Sequence, residues 1–316
     1  MKFSIIIPVY NVQDYIDKCL SSVENQTYGN YEVIIVNDGS KDGSQKIIDK
    51  FVSKDKRFIS FIKTNGGLSD ARNYGVKKAN GDYILFLDSD DYFESRLLEK
   101  INAKIKKNNE PDLVKFSCQT VNLHGKVLHK YISKPFCNEL KLNAIKSIFT
   151  DEMIEPAWLY AYKRDFFIKN RFMYSKGKYH EDFGLTPFII MKAEKIISID
   201  YIGLNYVQRD GSIINCNDEQ KNRKKAFDFL ELYLNEVSII NQIKGLNEEK
   251  NIVKIFLTDS VVRKTNILSG QTKKDYVKLL KKNKIYKNIP QNSIKRFIKK
   301  ICLFFNYKLY LIITSK

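Results

Sequence analysis

Four apolar runs in the first third of the chain each stop on a polar turn, and between them apolar positions recur at helical spacing. Residues 2–9 form a strand-like run ending on Pro8-Val9-Tyr10, after which Val12, Tyr15, Ile16, Cys19, Leu20 and Val23 return every three or four residues. Residues 31–36 run into Asn37-Asp38-Gly39-Ser40, and the stretch that follows carries Ile47, Ile48 and Phe51 on one helical face. Residues 58–62 lead into Asn65-Gly66-Gly67, and residues 83–87 stop abruptly on Asp88-Ser89-Asp90-Asp91. Strands separated by helical crossovers predict a parallel sheet, and right-handed crossovers gather the four polar turns along its C-terminal edge, where α/β sheets open to ligands.

The last turn places three carboxylates within four residues. Acids crowded this closely repel unless a cation or proton intervenes, and hard oxygen ligands suit Mn²⁺ or Mg²⁺, which in turn carry phosphates. The competing reading is a solvated acidic turn that caps a helix beginning near Ser95. The recurrence of polar turns at three other strand ends favours a site. There Asp38 is placed to accept an N–H from a nucleobase, Gly66 and Gly67 let backbone approach a ligand, and Arg72 can bridge phosphate or carboxylate. Together they predict a pocket for a nucleoside diphosphate. No G-x-G-x-x-G follows the first run and no Walker-type loop is present, so a metal is expected to neutralise the phosphates.

Pro8-Val9-Tyr10-Asn11, Asn37-Asp38-Gly39-Ser40-Lys41-Asp42-Gly43-Ser44, Asn65-Gly66-Gly67 through Ala71-Arg72-Asn73, and Asp88-Ser89-Asp90-Asp91 resemble, in this order and spacing, the family 2 glycosyltransferases of the GT-A fold. The resemblance covers roughly the first hundred residues closely. It implies an α/β, Rossmann-like nucleotide-diphospho-sugar transferase fold. It also implies that Asp88 and Asp90 are the D-x-D pair, with Asp90 the direct ligand of Mn²⁺ or Mg²⁺ and Asp91 behind it, and that Pro8, Tyr10, Asp38, Gly66, Arg72 and Ser89 line the nucleotide-sugar site. More loosely, it extends to His180-Glu181-Asp182-Phe183, where an acidic pair at the start of a helix would supply the catalytic base, Asp182 ahead of Glu181. Inverting transfer needs such a carboxylate opposite the leaving group to take the proton of the attacking hydroxyl. The alternative is that the two acids only favour a helix N-terminus.

The remaining chain divides by pattern into an acceptor-binding half over residues 111–215, after a nucleotide-sugar-binding half over 1–110, and a mostly helical, basic extension over 216–316. Short strands are expected at 112–118, 196–200 and 202–207. Trp158 in Pro156-Ala157-Trp158-Leu159-Tyr160 could stack on an acceptor sugar or lie in the core. Arg209, in Gln208-Arg209-Asp210-Gly211-Ser212, is a second acceptor-side candidate; the resemblance puts it in a segment that contacts phosphate or metal, without a histidine ligand at that point. The Gln-x-x-Arg-Trp motif and the multiple spans of processive synthases are absent, which implies addition of one sugar or a few per encounter. The expected acceptor is a glycan or lipid-linked oligosaccharide, in surface polysaccharide synthesis by analogy with the family.

With 316 residues, 43% of them hydrophobic, the chain can bury an α/β domain and an extension. Its five cysteines, Cys19, Cys118, Cys137, Cys216 and Cys302, have neither disulfide-framework nor zinc spacing. No leader and no run of about 18 apolar residues is evident, so a cytoplasmic enzyme, peripheral on the inner face of the plasma membrane, is expected. Charge is uneven: residues 273–316 hold 13 Lys or Arg against Asp275 alone, a net of +12 within a chain total of +18. Over residues 293–313, Ile294, Phe297, Ile298, Ile301 and Phe305 fall on one helical face and Lys295, Arg296, Lys299 and Lys300 on the other, the pattern of a helix lying on an anionic membrane. An ordinary helix packed on the protein is the alternative. A basic nucleic-acid-binding protein without transferase activity would require a recognition motif that this tail lacks, so no nucleic-acid partner is expected. A nucleotidyltransferase of similar fold would carry a Gly-rich, Arg-containing loop where Pro8-Val9-Tyr10-Asn11 stands, and a catalytically dead module would have lost Asp90 or Asp182.

Overall fold

The computed structural model describes residues 1–137, 139–209, 218–289 and 294–305. The chain divides into two compact units, one of Met1–Gly177 with Leu185–Asp210, the other of Lys178–Gly184 with Gly211–Lys316.

The first unit is built on β1 (Phe3–Val9), α1 (Ile16–Glu24), β2 (Tyr31–Asn37), α2 (Ser44–Lys54), β3 (Phe58–Ile62), α3 (Leu68–Lys78) and β4 (Tyr83–Phe86). β1, β2 and β4 are buried along their whole length, which is why they read as continuous apolar runs and not as alternation. β1 pairs in parallel with β2 on one side and β4 on the other, and β2 pairs in parallel with β3. The helices bury one face each; α1 does so with Ile16, Cys19, Leu20 and Val23. On α3, a Cβ added at Gly75 would stand 2.4 Å from Ile6 Cγ2, so glycine is what lets this helix lie against β1.

After β4 come β5 (Tyr92–Phe93), α4 (Leu97–Lys107), β6 (Leu113–Val121), β7 (Val127–Tyr131), α5 (Lys141–Ile148), β8 (Tyr160–Lys163), α6 (Arg164–Lys169), α7 (Thr186–Lys192) and β9 (Ile196–Val207). Among the described residues the sheet has nine strands in the order β3-β2-β1-β4-β8-β6-β9-β5, with β7 added to β6. β8 is antiparallel to β4 and β6, whereas β6 and β9 are parallel. Sequential order reverses beside β1, between β2 and β4, and such a switch point opens a crevice at the strand C-termini.

The expectation of two strands after residue 195 is corrected. Residues 196–200 and 202–207 form one strand: exposed Asp200 interrupts the apolar pattern, while the backbone continues and the β6–β9 register shifts beside it. β5 and β7 carry no period of two that could have announced them, β5 being two residues long and β7 almost wholly exposed.

The second unit is helical in its described part after residue 218: α8 (Glu219–Gln242), α9 (Asn247–Arg263), α10 (Gly270–Lys282) and α11 (Ile294–Phe305). α8 is capped by Asp218, whose carboxylate accepts from Lys221 N at 2.7 Å. On α11, Cys302 and Leu303 are buried, while Phe297, Ile298 and Ile301 are 39–45% exposed. Residues 306–313 of the expected tail helix lie outside the described residues, as does Cys216; the four described cysteines are free. No described helix is long and apolar enough to cross a membrane.

Candidate active site

The C-terminal ends of β1 and β2 are tied together. Asp38 N donates to Val9 O at 2.8 Å. Asn11, with φ of 51°, accepts from Lys41 N through Oδ1 at 2.9 Å, and its own N–H donates to Ser40 Oγ at 3.1 Å. The left-handed backbone at Asn11 is one that asparagine tolerates better than most residues. Pro8 lies within buried β1, and Tyr10 projects beyond it, 49% exposed.

Asp38 is buried and organises the neighbouring loop. Its Oδ1 accepts from Gly66 N at 2.9 Å and from Lys63 Nζ at 2.5 Å, and its Oδ2 accepts from Gly67 N at 2.7 Å. Gly67 has φ of 85°, a conformation that glycine reaches without strain. Lys63 also pairs with Asp70 at 2.7 Å.

Asp88, Ser89, Asp90 and Asp91 follow β4, and their carboxylates are apportioned among different partners. Arg72, on α3 and 2% exposed, donates through Nη2 to Asp88 Oδ1 at 2.6 Å. Its guanidinium carbon lies 5.5 Å from the Tyr174 ring centroid. Arg209, beyond β9, donates through Nε to Asp90 Oδ2 at 2.8 Å and lies 4.8 Å from the Tyr15 ring centroid. Asp91 turns inward, 1% exposed, and accepts from Val207 N at 2.8 Å. Ser89 is buried. Burial, then the neighbouring Asp88, raises the Asp90 carboxyl above its ordinary value, with Arg209 opposing. Asp91 is raised further, by burial and then by Asp90 and Asp88.

The acidic turn is therefore no helix cap. α4 begins at Leu97 behind Arg96, with no side-chain capping bond, and the carboxylates bind arginines and a strand N–H instead. Among the described residues no three His, Cys, Asp or Glu side chains converge as a metal cluster, because Asp91 points to Val207. Asp88 and Asp90 remain as two carboxylates at the strand tip.

Glu181 and Asp182 belong to the second unit. They lie in a turn and not at a helix start, since α7 begins only at Thr186, with Pro187 in its first turn. That corrects the expected placement. His180 holds a left-handed φ of 57°, and Phe183 N donates to Asp182 Oδ1 at 2.9 Å. The turn is fastened within its unit: Phe183 stacks on Phe229 with centroids 4.0 Å apart, and Tyr179 N donates to Asp228 Oδ2 at 2.9 Å. Glu181 is buried, and burial followed by the nearby Lys264 lowers His180 to about 3, keeping its ring neutral.

Of the two acceptor candidates, Trp158 is 5% exposed and packs against Tyr206, centroids 5.6 Å apart, in the position of a core ring. Arg209 joins the acidic turn. Asp210, Gly211 and Ser212 lie outside the described residues.

The model of the family described as "Glycosyl transferase family 2" matches residues 4–180, more than half of the chain. The chain belongs to glycosyl transferase family 2. Glycosyltransferase GlyA of Streptococcus pneumoniae serotype 4 is 33% identical over 67% of this chain and 31% of its own length. Poly(ribitol-phosphate) beta-glucosyltransferase of Bacillus spizizenii is 36% identical over 67% of this chain and 33% of its own length. The chain thus spans about a third of these two relatives. Among solved structures, residues 1–349 of S. aureus TarS in complex with UDP-GlcNAc superpose with a TM-score of 0.79 at 20% identity, covering 99% of this chain and 89% of that one. The likeness shows the GT-A fold.

Two site residues escaped the sequence reading of this family 2 chain. Lys63 directly follows β3 at the same sheet edge as the other polar turns, so the rule that singled out Asp38 applies to it equally. Tyr15 falls in the apolar helical pattern of α1, whereas its ring carries Arg209.

Proposed function

We propose that this glycosyltransferase moves a sugar, with inversion and without processivity, from a nucleotide-sugar of the UDP type to a hydroxyl of a glycan or lipid-linked acceptor in surface polysaccharide synthesis. The observation that carries the reading is the pair Asp88 and Asp90 at the tip of β4, each held by an arginine, beside the loop that Asp38 organises. The UDP-GlcNAc held by TarS supports the donor class, and the B. spizizenii relative, named for a poly(ribitol-phosphate) acceptor, supports the surface-polymer class.

The residues fit a divalent cation, Mn²⁺ or Mg²⁺. Asp88 and Asp90 offer hard oxygen donors, and Asp90, raised by burial and by Asp88, is a carboxylate that an added positive charge would relieve. Asp90, with Asp88, would hold the ion; when bound it neutralises charge building on the departing diphosphate. Arg72 and Arg209 contribute fixed positive charge beside those carboxylates. Asp182 takes the proton from the acceptor hydroxyl as its oxygen bonds to the anomeric carbon, while the bond from that carbon to the diphosphate oxygen breaks and the electron pair leaves with the nucleoside diphosphate. Glu181 is the second candidate for that base. The N-terminal segments act as the nucleotide-sugar half (1–110), the middle as the acceptor half (111–215) and the rest as the extension (216–316).

The apolar side chains exposed on α11, together with the basic composition of residues 273–316, support peripheral contact with an anionic membrane, cytoplasmic and on the inner face, where a lipid-linked acceptor would reside. The deciding experiment is product analysis over a panel of nucleotide-sugars with Mn²⁺. Release of free nucleoside diphosphate, lost with chelator and restored by metal, is the expected result. Pyrophosphate release would indicate a nucleotidyltransferase, and undiminished turnover of Asp90→Ala in excess chelator would remove the metal assignment.

A further inference from the structure

Between the end of β7 and the segment that follows α5, the first unit holds a half-open cavity of about 240 Å³. Lys130, Tyr131 and Ser133 line it from one side, and Thr150, Asp151 and Glu152 from the other. It is smaller than the roughly 300 to 1,000 Å³ of pockets for drug-sized ligands, a size for one ring and not for a nucleotide or an oligosaccharide. Behind it Lys115, on β6 and with a side chain only 1% exposed, forms an ion pair with Asp151 and donates to Met153 O at 3.2 Å. Lys115 holds Asp151 through Oδ2, and a carboxylate has about four lone-pair sites, so Asp151 keeps acceptor capacity for the cavity it lines. Glu152 pairs with His129 Nε2 at 2.9 Å. The cavity is connected to the acidic turn within the same unit. Leu159 also lines it, the adjacent Trp158 packs on Tyr206, and the next residue, Val207, donates to Asp91. Burial raises the Cys118 thiol to about 12, with Lys115 opposing and Asp91 adding, so both charges reach one side chain of β6.

We propose that this cavity is an acceptor subsite for one neutral sugar ring, with Asp151, fixed by Lys115, accepting from its hydroxyls and Lys130 and Thr150 donating to them. The inference rests on the sugar-transfer reading above and adds to it the place where a ring of the acceptor glycan is held. The lining decides the chemical class. An anion drawn to Lys130 would meet the carboxylates of Asp151 and Glu152, and a cation drawn to those carboxylates would meet Lys130 and the ammonium behind Asp151. A neutral polyol satisfies both sides, because each hydroxyl is a donor and an acceptor at once. Hydrogen bonds to a carboxylate are the stronger kind, and the buried ammonium gives this one a fixed direction. Carboxylate and ammonium are already paired before a ligand enters, so a hydroxyl displaces water from Asp151 without leaving a buried charge alone.

The test titrates the methyl β-glycosides of glucose, galactose, N-acetylglucosamine and glucuronic acid into the full chain, with and without UDP and Mn²⁺, for the wild type, Asp151→Asn and the double variant Lys130→Ala with Thr150→Val. At least one neutral glycoside is expected to bind the wild type with a roughly millimolar Kd, as suits so small a ligand. The glucuronide, which sets a carboxylate against Asp151 and Glu152, should bind several-fold more weakly. Asp151→Asn should weaken the neutral glycoside by about 10- to 100-fold, the worth of hydrogen bonds to a charged group. The double variant changes two exposed side chains and leaves the Lys115–Asp151 pair in place, so its expected several-fold loss reads the site even if Asp151→Asn does not fold. Absence of binding by every neutral glycoside, affinity unchanged in the double variant, or a glucuronide that binds best would each overturn the proposal. So would a glycoside that binds here but receives no sugar from a preparation that does glycosylate another acceptor. Failure to release nucleoside diphosphate from any nucleotide-sugar would remove the transfer reading and the acceptor role with it, whereas loss of glycoside binding alone removes only this inference.

Discussion

Arg209 donates through Nε to Asp90 Oδ2 at 2.8 Å across 119 residues of sequence, joining the end of β9 to the tip of β4. Burial and Asp88 raise the Asp90 carboxyl, and Arg209 is the group that pulls it back toward its ordinary range. Removing the guanidinium raises Asp90 further, so a smaller fraction is ionised at a given pH. Arg209→Gln is therefore expected to move the acid limb of the kcat/KM profile upward, as loss of a nearby opposite charge does. Arg209→Lys should restore part of the shift. An acid limb that stays in place in Arg209→Gln would show that Asp90 does not govern it.

Asp182 separates chemistry from donor binding. Asp182→Asn keeps the shape of the turn, in which Phe183 N donates to Oδ1, and removes the carboxylate that would accept the proton. The expected outcome is a kcat lower by about 10² to 10⁴ with donor affinity nearly unchanged, measured by turnover and by nucleotide-sugar titration on the same preparation. Joint loss of binding and turnover would place Asp182 with the donor-binding groups. Full activity would pass the role to Glu181.

The second unit carries a pH-dependent weakness. Glu236, on α8, is 7% exposed, its Oε2 has no hydrogen-bond partner among the described residues, and burial pushes its carboxyl up to about 8 from an ordinary 4.5. Because the folded value lies above the unfolded one, its contribution is fully present below about pH 4.5 and is lost as pH rises through about 8. Within that window the loss is at most about 1.4 kcal/mol per pH unit. Glu236→Gln, which carries no charge, is expected to be more stable than the wild type at pH 8 and indistinguishable near pH 4.5, as measured by urea unfolding at several pH values. Parallel stability curves for the two proteins would count against it.

What the sequence revealed and what it hid follow the same physics. β1, β2 and β4 are legible to within a residue or two at each end because burial on both faces leaves an unbroken apolar run, whereas β3, at the sheet edge and partly exposed, is legible from its apolar composition alone. Within the acidic turn the division of labour was not legible. Asp88, Ser89, Asp90 and Asp91 are adjacent, yet their partners come from α3, the end of β9 and a residue beyond it, so only the tertiary structure tells Asp91, bonded to Val207 N, from Asp90, bonded to Arg209. The resemblance puts Arg209 in a segment that contacts phosphate or metal, on the acceptor side, but nothing in its sequence neighbours names Tyr15 or Asp90 as its partners. Lys63 is illegible for a simpler reason: a single lysine after a strand resembles any solvated cation until Asp38 and Asp70 are seen on either side of it.

The exposed stripe on α11 gives the membrane proposal its sharpest test. Phe297, Ile298 and Ile301 are 45%, 43% and 39% exposed, while Cys302 and Leu303 of the same helix are buried, so the helix packs on its unit through one face and offers apolar side chains on another. Water makes that offer costly, and a lipid headgroup boundary would accept it, with the basic residues of the segment adding about 1 kcal/mol for each one near anionic lipid. Phe297→Ser with Ile301→Ser removes two of these side chains and leaves Cys302 and Leu303 untouched. Half-burial of a Phe and an Ile is worth roughly 2 kcal/mol, so affinity for anionic vesicles should fall about 30-fold, while the melting temperature stays close to that of the parent because neither side chain is buried in the free protein. Raising salt toward 1 M shortens the screening length from about 10 Å to about 3 Å and should weaken what binding remains. Co-sedimentation with anionic and zwitterionic vesicles measures both effects. If the double variant sediments as the parent does, or the parent binds both kinds of vesicle equally, the stripe serves something other than an anionic membrane.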